Sequence, residues 1–180
     1  MALPTASALE KDIKDLKPAN NAVQGSLAFA NVIGDHLSKI QAGSMGAPGI
    51  MTFNSPLFAS LLATMPPSPV GPPTAFLMAS HFATALSASV IKPGTVINSA
   101  WTASAVDILT LPVGAATIVT IPVVMAKLAS GLLEVKADKT APDKIAKAYA
   151  DAIAEIQFLT IGLFLVVVVP TPLPMLAKAA

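Results

Sequence analysis

Apolar side chains recur at alternating intervals of three and four between positions 23 and 40. Val23, Leu27, Ala30, Ile33, Leu37 and Ile40 fall on one face of a helix, while Gln24, Asn31, Asp35, Ser38 and Lys39 lie elsewhere around it. The spacing predicts a helix over residues 21–41, with Gly43 as its stop. Upstream, Ser7-Ala8-Leu9-Glu10 has the spacing of a capping box, in which hydroxyl and carboxylate each satisfy an orphan backbone donor. A short polar helix over 8–17 follows, ended by Pro18.

Beyond residue 42 the pattern changes. Gly43, Gly46, Pro48 and Gly49 break residues 43–56 into loop. Ser55-Pro56 reads as an N-cap followed by proline at the first helical position, opening a short apolar helix over 56–64. Five prolines between positions 65 and 73 then forbid helix and central strand, and predict an extended polyproline-like connector. The apolar flanks of that connector argue against a ligand for a proline-reading module. Residues 73–91 form a helix that is apolar nearly all round, closed by Lys92-Pro93-Gly94. Residues 95–110, with Trp101 and Asp107, read as irregular.

Thr110-Leu111-Pro112-Val113 is echoed as Thr120-Ile121-Pro122-Val123, and only the second copy leads into a helical pattern, over 122–135. Thr140-Ala141-Pro142-Asp143 opens the last helix. Its stripe is Ile145, Ala148, Ala152, Ile156 and Leu159, and Asp143 with Lys147 makes a favourable i,i+4 pair. Polarity then vanishes over 158–169, where the valine run predicts a short strand near 163–169, before Pro170, Pro172 and Pro174. The expected fold is therefore mainly α, with several short apolar helices joined by Pro/Gly-rich connectors. An amphipathic helical arm over 1–42 precedes an apolar helical domain over 43–180 with a proline-rich tail.

Composition sharpens this picture. Hydrophobic residues make up 54% of the 180 and charged residues only 12%, against about 25% charged in ordinary soluble domains. Between positions 40 and 133 the only charges are Lys92, Asp107 and Lys127. A fold with so few polar groups to cover it keeps much of its outside away from water, against copies of itself or other structural proteins. Cysteine is absent, which excludes disulfides and thiolate metal sites. All eleven basic residues are lysine and the net charge is +1. Without arginine forks or a basic field, nucleic acid is not an expected partner. Residues 1–9 hold no positive charge and no continuous apolar stretch, so no Sec-type signal is expected there.

Chemistry is thin. His81, Asp107 and a serine form a triad only on paper, because no Gly-x-Ser-x-Gly elbow accompanies them. His36 and His81 stand 45 positions apart without cysteine, which does not suggest a metal site. His36 reads as solvated on the polar side of its helix, and His81 as a satisfied buried or interface histidine. No phosphate-binding glycine pattern occurs. No enzyme, cofactor, metal or catalytic residue is therefore expected. Asp107 reads as a turn cap or as the partner of Lys92 or Lys127 across a subunit contact. Phe76, Phe82 and Trp101 read as core more readily than as a ligand pocket. Phe76, Phe82, Trp101, Asp107, Phe158 and Phe164 are the candidate interface residues.

A bilayer span needs about 20 apolar residues. Residues 156–169 offer fourteen before Pro170, and residues 111–133 are interrupted by Pro112, Pro122 and Lys127. Membrane insertion, as a pore or ejection-type protein, is therefore the alternative rather than the leading reading.

The stretch Ile50-Met51-Thr52-Phe53-Asn54-Ser55-Pro56-Leu57-Phe58, then Lys92-Pro93-Gly94-Thr95 with Trp101 downstream, then Pro112-Val113-Gly114-Ala115-Ala116-Thr117, resembles small virion structural proteins of tailed bacteriophages. The likeness spans about residues 50–122. It implies a non-enzymatic component of the particle, in the tail or baseplate, located in the virion and carrying no catalytic residues.

Overall fold

A computed structural model describes residues 6–39, 41–42, 49–65, 72–92, 96–97, 109–135, 140–166 and 169–178, with side chains placed in 7–39, 51–65, 72–90, 118–135 and 140–156. The fold is mainly helical, as the sequence predicts. The helices are α1 (Ala6–Lys14), α2 (Ala22–Ser38), α3 (Ser55–Ala63), α4 (Pro72–Ser87), α5 (Ile121–Leu133) and α6 (Ala141–Ile153).

Local chemistry explains the helix starts. Asn21 caps α2, its Oδ1 accepting from the Gln24 amide at 2.9 Å. The cap of α3 is Asn54 rather than the expected Ser55. Its Oδ1 accepts from the Leu57 amide at 3.1 Å, which places Ser55 and Pro56 in the first turn. The Asn54 amide donates to Ser89 Oγ at 3.1 Å, and that hydroxyl donates to the Ala85 carbonyl at 2.7 Å. The start of α3 is thus tied to the end of α4. Thr120 stands at the N-cap of α5 without a side-chain capping bond; its hydroxyl donates to the Glu155 carbonyl at 2.7 Å, tying the start of α5 to the end of α6. Proline fits the first turn in α3, α5 and α6 because the missing N–H has no intrahelical acceptor there.

The expected Asp143–Lys147 pair gives way to a tertiary one. Asp143 meets Lys14 Nζ at 2.6 Å, and the same ammonium reaches Glu10 at 2.6 Å, so α1 is moored to α6. These two carboxylates hold the Lys14 ammonium above its ordinary pKa, Asp143 being the stronger influence.

Strands contribute more than the sequence suggests. Part of the expected loop over 43–56 is strand: β2 (Gly49–Thr52) pairs antiparallel with β1 (Gln41–Ala42), just before that loop, and with β3 (Val90–Lys92). A second antiparallel sheet runs β4 (Val96–Ile97), β5 (Leu109–Ile118), β6 (Gln157–Val166) and β7 (Val169–Lys178). The strand expected over 163–169 therefore begins earlier, and the proline-rich tail is its partner. Pro170, Pro172 and Pro174 alternate along β7 at the edge of this sheet. Period-two spacing puts all three missing N–H groups on one side, which leaves the other side free to pair with β6. The first copy of the threonine-proline echo lies in β5, and the second opens α5.

Residues on both sides of position 42 share the core. Leu9 of α1 and Ala30, Ile33 and Leu37 of α2 join one buried cluster with Phe58, Phe82, Leu86, Leu128, Tyr149 and Ile153. At its centre Tyr149 packs on Phe82 at 5.2 Å and on Phe29 at 5.5 Å, while Phe58 meets Phe53 and Phe82 at 5.7 Å each. Most of these rings are steeply tilted, the arrangement that sets the positive edge of one against the negative face of another. Burying each such ring contributes on the order of 1.5–3 kcal/mol.

Candidate assembly surface

The stripe of α2 is only half used by this core. Ala30, Ile33 and Leu37 are buried, but Val23 is 64% exposed and Leu27 is exposed too, one turn apart on the same helix face. On α4, Ala75, Ala79, Phe82, Ala83, Ala85 and Leu86 turn inward, while Phe76 stands 59% exposed. On α5, Val124, Leu128 and Leu132 are buried, while Val123 and Leu133 are each more than half exposed. Helices α4 and α5 pack side by side, so Phe76, Val123 and Leu133 belong to neighbouring elements. Val90 and Val119, at the ends of β3 and β5, add two more exposed apolar side chains. Lone exposed apolar residues are ordinary. Phe76, Val90, Val119, Val123 and Leu133 fall in a chain segment that holds just three charges over residues 40–133.

The candidate interface residues divide accordingly. Phe76 lies on the surface, but Phe82 is fully buried among Phe53, Phe58 and Tyr149 and is a core residue. Its ring faces inward because Ala79, Ala83 and Leu86 flank it on the buried side of α4. Trp101 and Asp107 lie outside the described residues, and Phe158 and Phe164 lie in β6, where only the backbone is described.

Of the two histidines, His36 departs from its reading. His36, expected in water, is buried at 2% exposure, and its Nδ1 has no hydrogen-bond partner among the described residues. Burial chiefly, helped by the Lys39 ammonium and opposed by Asp12, holds its pKa below the ordinary value. The signal for its burial was its position beside Ile33 and Leu37 at the edge of the apolar stripe. His81 on α4 is half-buried, and burial lowers its pKa as well.

Chemistry-bearing groups meet in a cleft of about 230 Å³ between α5 and α6, where Lys127, Lys144 and Lys147 face Glu134 and Asp151. Most of these side chains are solvated, and Gly131 and Ala148 also line the cleft. Among the described residues no three of His, Cys, Asp and Glu group as metal ligands, and no helix is long and apolar enough to cross a membrane. Among the described residues the feature that stands out is exposed apolar surface on α2, α4 and α5. No protein-family model, curated protein or solved structure matches the chain.

Proposed function

We propose that this protein is a non-enzymatic structural subunit of a multi-copy assembly, in which copies of the chain and other structural proteins cover its apolar surface. The observation that carries the reading is the exposure of Phe76, Val123 and Leu133 within a stretch almost free of charge. Apolar surface of this kind gains on the order of 25 cal/mol for each Å² removed from water, which favours association. The sequence resemblance over residues 50–122 directs the proposal to a tailed-phage particle, as a tail or baseplate component.

The test is cross-linking of intact particles with mass spectrometry, complemented by electron cryo-microscopy of the same particles. The reading expects many ordered copies, with cross-links from Lys92 and Lys127 to neighbouring chains. Recovery of the chain solely in the detergent-soluble membrane fraction, with vesicle insertion protecting residues 111–133 from protease, would replace this reading with a pore or ejection-type one.

A further inference from the structure

We infer that proline seals the outer edges of β5 and β7 against strand addition by a second copy of the chain, and so protects the proline-free strand β6 held between them.

In an antiparallel sheet the N–H and C=O of one residue point to the same side, and successive residues alternate sides. Proline has no N–H to give a neighbouring strand, so it belongs on the outward phase of an edge. In β7, Pro170, Pro172 and Pro174 stand opposite Leu165, Leu163 and Ile161 of β6. With the prolines outward, those three residues of β6 turn their backbone groups toward β5, where their partners are Leu109, Leu111 and Val113. These face back toward β6, which leaves Thr110 and Pro112 on the outward phase of β5. Thr110 is there paired with Val96 of β4. Pro112 needs the outward phase for its own reason, since it too lacks an N–H. Prolines on two different strands thus demand the same phase, and a slip of one residue in either pairing would set them in conflict.

The seal lies where the sequence most requires one. No charged residue occurs between Glu155 and Lys178, so the charges that commonly blunt an edge are missing from nearly the whole hairpin. Phe158–Val166 is uncharged, proline-free and rich in leucine, aromatic and β-branched residues, a composition that favours cross-β stacking. The sheet order puts this strand in the middle, with a proline-bearing strand on either side. Among the outward positions of β7, only Leu176 and Lys178 keep an N–H. On β5, Pro112 takes the outward position next to Thr110, and a register shift between Val113 and Thr117 interrupts the rest of that edge. Where copies associate, as proposed above, they meet through side-chain surfaces and not by continuing this sheet; the seal itself does not depend on that reading.

Residue-resolved amide hydrogen exchange of the full chain tests the phase. Thr171, Leu173, Met175 and Ala177 should be protected, while Leu176 exchanges faster than the residues on either side of it. Thioflavin T fluorescence tests the seal, using a variant with Pro170→Val, Pro172→Thr and Pro174→Val together. The native chain should give no response, and the variant should form fibrils with the cross-β repeat of about 4.7 Å. Pro56→Ala, Pro122→Ala and Pro142→Ala together, which remove as many prolines from helix first turns, should give no response. Should the edge variant fail to fold, Pro172→Thr alone must still raise the response above that of the native chain. Equal protection of Leu176 and its neighbours, edge variants as silent as the native chain, or fibrils from the native chain or the helix variant would overturn the inference.

Discussion

Gly131 on α5 and Ala148 on α6 approach so closely that a Cβ built on Gly131 stands 2.7 Å from the Ala148 Cβ and 3.1 Å from its Cα. Neither neighbour is the end of a flexible side chain, so the helices themselves would have to part. Gly131→Ala gains about 1 kcal/mol of helix propensity but forces an overpacked contact costing roughly 1–3 kcal/mol. The expected net effect is destabilisation, read as a lower urea midpoint with an unchanged slope. A variant as stable as the native chain would show that the helices have room to separate.

The Tyr149 hydroxyl is fully buried without a hydrogen-bond partner among the described residues, and burial pushes its pKa well up. An unsatisfied buried hydroxyl costs roughly 1–3 kcal/mol. Tyr149→Phe keeps the ring among Phe29, Phe58 and Phe82 while removing that cost. Thermal unfolding should show equal or greater stability. A loss above about 1 kcal/mol would mean the hydroxyl has a partner worth that much.

Phe58 and Phe76 are chemically alike but differently placed, the first fully buried and the second largely exposed. Phe58→Ala should cost roughly 3–5 kcal/mol of stability. Phe76→Ser should leave unfolding nearly unchanged, within about 0.5 kcal/mol, yet reduce association. Denaturant curves of both variants check the first half, and light scattering checks the second.

Acid sensitivity follows from the histidines. Both His36 and His81 have pKa values lowered by burial in the folded chain, whereas in the unfolded chain they titrate near 6.5. Below that point the unfolded state binds more protons, so stability is full above about pH 6.5 and declines as pH falls toward the folded values. Replacing both histidines with neutral residues should flatten the profile below about pH 6.5. A profile still as steep would place the acid response elsewhere.

The helices were legible because short-range chemistry decides them. Three- and four-residue spacing gave α2, α5 and α6, and proline gave several of their first turns. What escaped depends on contacts distant in sequence. Asp143 chose Lys14 over Lys147 because α1 folds back across α6, and Thr120 chose the Glu155 carbonyl, 35 residues away, over its own helix. His36 looked solvated on a helical wheel, since a wheel shows nothing of what packs against its flank. Strand β7 was hidden by Pro170, Pro172 and Pro174, whose alternation disqualifies a central strand but not an edge. Of the candidate surface, charge depletion announced that apolar residues would remain outside, but the choice of Phe76 over Phe82 required the orientation of α4.

Sedimentation velocity of the purified chain across a dilution series tests most directly whether other molecules must cover this surface. Large, concentration-dependent species are expected, shifting toward the protomer when Phe76, Val123 and Leu133 are all replaced by serine. A native chain that sediments as a soluble 18.3 kDa protomer at every concentration would refute the proposal that its exposed apolar groups exist for assembly with itself.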